Sequence, residues 1–291
     1  MDAGRTDAVR RTALLTASYL GTTGALVVVR GPAIPAWQWI VAGHIAACAA
    51  LLAMRTRRSL PRALILALEW HPLVLFPLLY KEVELLARAI GDWRLTSIVP
   101  FVEAALFGGQ PSLYLSERWP SVPLSEFLHL CYLGYVLFIP AVAAYWYTRG
   151  RRAAFHELVF LLAMVMYGSY LFFILFPVDS PYYRFDPLGP PLTGHVFFDL
   201  VREMSSRGGA RGGAFPSAHA SGAVTVWLVA LRWQPRLAAV MAPFVAGLAL
   251  ATVYGRFHYA VDTLAGVGVA CVVVGLYWSL TRTDESRLRG A

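Results

Sequence analysis

Residues 158–177 read LVFLLAMVMYGSYLFFILFP, twenty positions without a charged side chain. A helix needs about 20 predominantly apolar residues to cross a bilayer, so this stretch predicts a transmembrane span. The rest of the chain shares its character. Of 291 residues 58% are hydrophobic and 14% charged, with a mean hydropathy of +0.56. A soluble domain carries about 25% charged residues. Outward from Leu158–Pro177, further runs qualify at Thr12–Val29, Ala36–Met54, Ala63–Tyr80, Leu124–Tyr147, Pro216–Leu231, Leu237–Tyr254 and His258–Leu280. The run from Pro216 is short for a span. The expected fold is an all-α polytopic membrane bundle of about eight transmembrane helices, without a repeat, a low-complexity tract or a soluble domain. The three cysteines, Cys48, Cys131 and Cys271, fall inside apolar runs. They read as buried free thiols, with neither disulfide nor metal-site spacing.

Loop arginines, rather than a nucleic-acid partner, explain the net charge of +8. With the N-terminus inside, the inner segments hold Arg5, Arg10, Arg11, Arg55, Arg57, Arg58, Arg62, Arg149, Arg151, Arg152, Arg232, Arg236, Arg282, Arg287 and Arg289. These are more than half of the 25 basic residues. Short basic loops stay cytoplasmic, so both termini are expected inside. Basic residues before an apolar run also fit a signal peptide, but no small-residue cleavage site follows, and the first span reads as a retained anchor. The arginine bias and the lack of sorting signals point to a bacterial inner membrane. In this orientation the sixth and eighth spans start from the outer face, where the loop 178–214 also lies.

Chemistry-bearing residues gather at those two starts. Pro216-Ser217-Ala218-His219 opens the sixth span, and Arg256-Phe257-His258-Tyr259-Ala260-Val261-Asp262 opens the eighth. Ionisable groups at a membrane edge are costly unless they have a task. His258 and Asp262 are four apart, which puts them on one helical face. A carboxylate beside an imidazole fixes its tautomer and strengthens it as a base or nucleophile. His258 is then the candidate nucleophile toward phosphorus, Asp262 its orienter, and His219 the general acid for the leaving alkoxide. Arg256 supplies forked donors for phosphate oxygens. Ser217 supplies a hydroxyl, or an N-cap. Free N–H groups at the helix start favour an anion. This arrangement calls for neither a metal nor a cofactor.

Those two clusters resemble the type 2 phosphatidic acid phosphatase superfamily of membrane lipid phosphatases and phosphotransferases. Phe215-Pro216-Ser217-Ala218-His219 is similar to its Pro-Ser-x-His signature, and Tyr254–Asp262 to its final His-x-x-x-Asp motif. The resemblance covers roughly Ala63–Leu280. It implies a six-helix core over 63–281, preceded by two added spans in 1–62 and followed by a basic cytoplasmic tail, 282–291. It also implies a lipid phosphate substrate. The common form has an arginine six residues before the final histidine, where this chain has Thr252. The arginine at Arg256 looks more like the inositol phosphorylceramide synthase branch, which transfers a phospho-headgroup onto a lipid alcohol. The family's Lys-x6-Arg-Pro motif has no counterpart in place. Lys81 and Arg88 have the spacing, but they lie two spans too early and Ala89 replaces the proline. At the outer end of the fifth span the resemblance points to Arg184 as a second phosphate ligand.

Other residues invite structural readings. His44, Glu69, His71 and His129 lie within spans and are expected to hydrogen-bond between helices. Glu126 and His129 are candidates for a layer beneath the site. Arg202, Arg207 and Arg211 read as a flexible, solvated loop. The segment 81–123 mixes apolar and charged residues and reads as short amphipathic helices on the outer surface. Two rival functions are a metal-assisted hydrolase using His219, His258 and Asp262, and a transporter. Transporters place substrate near the midplane, whereas here the candidate groups sit at one edge.

Overall fold

The computed structural model describes residues 3–56, 60–189, 192–193 and 195–289. Among them the chain forms α1 (Ala3–Arg30), α2 (Trp37–Thr56), α3 (Arg62–Ile90), α4 (Leu95–Phe107), α5 (Pro111–Arg118), α6 (Val122–Thr148), α7 (Arg152–Leu175), α8 (Pro181–Arg184), α9 (Val196–Gly208), α10 (Ala218–Trp233), α11 (Pro235–Tyr254) and α12 (Ala260–Arg289). Seven of these helices are long and apolar enough to cross a membrane. The expected all-α polytopic bundle is therefore what the chain forms. Its eighth expected span is α10, with 16 residues. At 1.5 Å per residue it is shorter than the ~30 Å hydrocarbon core.

The uncharged run 158–177 becomes the axis of the bundle. α7 packs against α1, α3, α6, α10 and α12. Phe155, Leu158, Leu161, Leu162, Tyr170 and Phe173 on it are buried. A helix that is apolar on every face belongs inside. α10 packs beside it and against α11 and α12. Its buried face is built of small residues, Ala218, Ala220, Ser221, Gly222, Ala223 and Thr225. Small residues let helix backbones approach closely where lipid offers no hydrophobic drive to association.

The two ends of the bundle differ. At one end Arg151 donates to the Trp233 carbonyl at 3.3 Å, and Arg152 lies over the Tyr147 ring. There Glu157 accepts from the indoles of Trp233 and Trp278 at 3.1 and 2.7 Å. Of the arginines that argue for orientation, Arg57 and Arg58 lie outside the described residues, as do the side chains of Arg5, Arg55, Arg282, Arg287 and Arg289. The opposite end holds the starts of α10 and α12 and the short helices α4, α5, α8 and α9.

Three elements differ from the sequence reading. Residues 81–90 continue α3 instead of lying on the surface. Glu, Leu, Ala and Arg are good helix formers, Val83, Leu86 and Ala87 form a buried stripe, and Arg88 pairs with Glu84 one turn away at 2.5 Å. Residues 196–208 form α9 rather than a loop. Phe198 and Val201 are buried on it, and Glu126 accepts from the Phe197 and Phe198 N–H groups at 3.0 and 2.9 Å, an acidic cap at the positive helix start. Cys271 is exposed on α12, whereas Cys131 is buried.

Interhelical hydrogen bonds do account for three of the four intramembrane ionisable groups. His44 meets Glu82 at 3.0 Å, Glu69 accepts from Tyr147 at 2.8 Å, and His71 meets Thr16 at 2.8 Å. His129 instead bonds to the Ser125 carbonyl of its own helix at 2.7 Å.

α10 and α12 cross where Gly266 faces Ser217. A Cβ there would lie 2.4 Å from the Ser217 carbonyl oxygen, so only glycine permits the approach. Gly266→Ala is expected to push the helix starts apart and cost about 1–3 kcal/mol, as overpacking does. Thermal unfolding in detergent micelles measures the loss.

Candidate active site

The two sequence clusters bind each other through the backbone. Ser217 caps α10, its Oγ accepting from the Ala220 N–H at 3.3 Å. Its own N–H donates to the Asp262 carbonyl at 2.9 Å. Pro216 thus precedes the cap rather than starting the helix. Asp262, in the first turn of α12, reaches back so that Oδ2 accepts from the Tyr259 N–H at 2.8 Å. This is the acidic half of a capping box.

His258 is aimed by a sharp turn. α11 ends at Tyr254, and Arg256 adopts the left-handed conformation with φ +62°. For a non-glycine residue that conformation costs roughly 1–2 kcal/mol. The Thr252 carbonyl accepts from both the Phe257 and His258 N–H groups, at 3.0 and 2.8 Å. Gly255 is required beside it, because a Cβ would come 2.3 Å from the Phe257 ring.

The imidazoles meet. His258 Nε2 lies 3.4 Å from His219 Nδ1, with ring centroids 5.6 Å apart. His258 Nδ1 lies 2.9 Å from the Ala214 carbonyl. A carbonyl only accepts, so Nδ1 carries the proton and Nε2 presents its lone pair toward His219. In that contact His219 Nδ1 is then the donor. Asp262 Oδ2 is 3.7 Å from His258 Nδ1, an electrostatic contact beyond hydrogen-bond length. Its Oδ1 is buried with no hydrogen-bond partner. Burial pushes His258, in the turn between α11 and α12, down to about 4, so the ring is neutral at pH 7.

Ala214 was not legible as a site residue. Its carbonyl is positioned by a bridge across the loop, where Val178 N–H donates to Gly212 and Ala214 N–H donates to Val178, at 3.0 and 3.1 Å. Tyr132 and Tyr135 also escaped the reading. They are three apart on α6, hence on one face, and their rings lie 4.7 Å from that of His219.

Arg256 and Arg184 stand elsewhere. Arg256 donates to the Asp186 carbonyl at 2.5 Å and to Glu117 at 3.2 Å, and it lines a small cleft with Tyr182, Phe185 and Arg202. Phe257 and Tyr182 wall both this cleft and the cavity of about 50 Å³ that contains His219 and His258. Arg184 donates to the Thr96 carbonyl at 2.9 Å. Lys81 tethers the end of α9, donating to the Arg207 and Gly208 carbonyls at 2.9 and 3.0 Å. Arg211 pairs with Asp179 at 3.5 Å and Arg207 with Glu203. Among the described residues no three His, Cys, Asp or Glu side chains converge as metal ligands.

Residues 110–276 match the family model described as the PAP2 superfamily. The match takes in more than half of the chain, both histidine clusters included, and the protein belongs to that superfamily. Its members are phosphoesterases, which with the apolar helices makes this an integral membrane enzyme of the phosphatase or phosphotransferase type. No curated protein and no solved structure matches the chain.

Glu103 on α4 had no signal in the sequence. Its side chain is buried and accepts from the Val261 N–H, in the first turn of α12, at 3.1 Å. Burial raises its carboxyl from 4.5 to about 7, opposed by the N–H groups of Val261, Ala260 and Ser112 and reinforced by Asp262. The ionised form is disfavoured in the folded protein. The contribution of Glu103 to stability is therefore full below pH 4.5 and lost as the pH rises through about 7. Glu103→Gln, which keeps the acceptor, is expected to flatten the pH dependence of thermal unfolding across that window. Glu103→Leu is expected to cost about 1–3 kcal/mol at pH 5, leaving the Val261 N–H unsatisfied.

Proposed function

We propose that the protein cleaves lipid phosphoesters through a phosphohistidine, with water as the acceptor and without a metal. The observation that carries this reading is the pair of facing imidazoles, one with a free lone pair and the other with an N–H, lining one cavity. His258 Nε2 attacks phosphorus, and the bond to the lipid oxygen breaks. His219, held as the imidazolium by the negative charge of the bound phosphate, protonates the leaving alkoxide and becomes neutral. It then takes a proton from water, which attacks phosphorus and breaks the P–N bond, releasing phosphate and His258.

At 3.4 Å the histidines leave no room for a phosphoryl group between them. In this reading substrate entry parts them, with His219 pivoting against the Tyr132 and Tyr135 rings. Asp262 stabilises the positive charge that develops on His258. Ser217, the α10 start, Arg256 and Arg184 hold the phosphate, the arginines leaving their present carbonyl partners when an anion enters. The six helices α3, α6, α7, α10, α11 and α12 act as the catalytic core, with α1 and α2 outside it. The arginine-rich end faces the cytoplasm with both termini, so the histidines face the exterior.

A second reading keeps the first half-reaction and replaces water by a lipid alcohol, giving transfer of a phospho-headgroup. Arg256, two residues before the final histidine, favours it by resemblance to the inositol phosphorylceramide synthase branch.

The purified protein, incubated with a panel of lipid phosphates with and without lipid alcohols, is expected to release phosphate. A new phosphodiester lipid would identify transfer instead. His258→Ala is expected to abolish turnover in a folded protein, and His219→Ala to lower kcat by about 10²–10⁴-fold. Activity is expected to survive excess chelator. Normal turnover by His258→Ala, or uptake into liposomes without phosphoester cleavage, would end this reading.

A further inference from the structure

A second cavity adjoins His219 from the membrane side. It encloses about 280 Å³ between α3, α6, α7 and α10, and Tyr80 and His219 line both it and the smaller cavity in front of the histidines. Its walls grade from polar to apolar. At the histidine end stand Tyr80 and Tyr135, the latter donating to the Ala218 carbonyl at 3.2 Å. Farther along stand Leu73, Ile139 and Pro140, while Met166 Sδ lies 3.9 Å from the Tyr135 hydroxyl between the two ends.

The helices diverge around this cavity. α3 and α6 touch where Tyr147 meets Glu69 and Trp70, far from the histidines. Toward the site both pack on α7, Tyr170 donating to the Phe76 carbonyl of α3 at 3.2 Å and Tyr135 of α6 reaching Met166 at 3.9 Å. Pro77 and Pro140 lie at the opening, and proline removes the helix bond to the carbonyl four residues earlier, here Leu73 and Val136. Beside the opening Val74, Leu78, Val136 and Leu137 are more than half exposed on helices that span the membrane. The medium at such a mouth is lipid.

We propose that this slot takes one acyl chain of a bilayer lipid through the gap between α3 and α6, and so delivers the lipid's polar end to His219 from within the membrane. The proposal deepens the phosphoesterase reading by naming how its substrate is held. Polarity supports it, since an amphiphile with its tail past Met166 among Leu73, Ile139 and Pro140 presents its head at Tyr80 and His219. Burial supports it too. Ile139 and Met166 are 7% and 6% exposed, so only a chain that has entered the slot reaches them.

The test uses phosphatidylcholine vesicles containing a trace of lipid phosphate with a photoactivatable diazirine midway along one acyl chain. After illumination, label is expected on Ile139 and Met166. It should fall about tenfold in Val136→Trp, at the exposed mouth, and in Ile139→Trp, inside the slot, a loss of about 1.4 kcal/mol in binding. Label confined to lipid-facing residues such as Val74 and Leu137, and unchanged by either substitution, would overturn the proposal. So would a chain-to-chain contact across the mouth that excludes the lipid, seen as copies cross-linked through a photoactivatable group at position 136.

A kinetic arm separates this from the functional reading. Both variants are expected to lose about tenfold in kcat/KM on the long-chain lipid phosphate, while a short-chain soluble phosphoester is turned over as by wild type. Equal losses on both substrates would count against the slot. Wild-type protein that cleaves neither substrate would end the phosphoesterase reading, while the labelling still decides whether the slot holds a chain. Val136→Trp keeps the test open if Ile139→Trp fails to fold, because position 136 is 55% exposed.

Discussion

One hydrogen bond sets the geometry of the candidate site: the Ser217 N–H to the Asp262 carbonyl. It joins the starts of two helices whose motifs lie some forty residues apart, and it forms because Gly266 has no side chain to keep the backbones separate. With those starts at one level, a histidine in the first turn of α10 and a histidine just before α12 have one place to meet. Asp262 contributes twice, its carbonyl holding Ser217 and its carboxylate holding Tyr259. The left-handed turn at Arg256 then returns the chain so that His258 faces inward. A strained backbone at this position is consistent with a functional constraint, since strain persists only where the surroundings over-determine it.

The membrane imposes the second constraint. Backbone polar groups inside it must be satisfied by the protein itself, and α10 is too short to carry helix through the full hydrocarbon thickness. The irregular segment before it, residues 209–217, is therefore pinned on every side. Val178 bridges to it, Lys81 holds the end of α9 above it, and the Ala214 carbonyl on it receives His258. What makes that segment tolerable in a membrane protein is the same set of contacts that fixes the tautomer of His258. The apolar slot beside it lies where α3 and α6 both pack on α7.

Much of the site was legible because its residues are local in sequence. His258 and Asp262 are one turn apart, and Ser217 and His219 share a helix start, so helical geometry alone brings each pair together. The spans were legible because twenty apolar residues in a row have few alternatives. α9 was missed although Phe197, Phe198, Val201 and Met204 carry a helical spacing, because glycines and arginines nearby suggested a loop. The arginines show the limit of spacing arguments. Arg256 sits two residues from His258, yet its turn sends the side chain into a separate cleft, toward Asp186 and Glu117.

The amino-acid sequence by itself determined that this is a membrane-embedded helical bundle, and that its candidate catalytic residues lie at two helix starts. Both are consequences of short-range rules: hydrophobic length, helical period and end effects. Only the tertiary structure decided that the Ala214 carbonyl orients the His258 imidazole, that Glu103 supports the α12 start from 158 residues away, and that Tyr132 and Tyr135 flank His219. Those relations depend on which helices become neighbours. That choice rests on the summed packing of small residues and aromatic rings across the bundle, which no local pattern encodes.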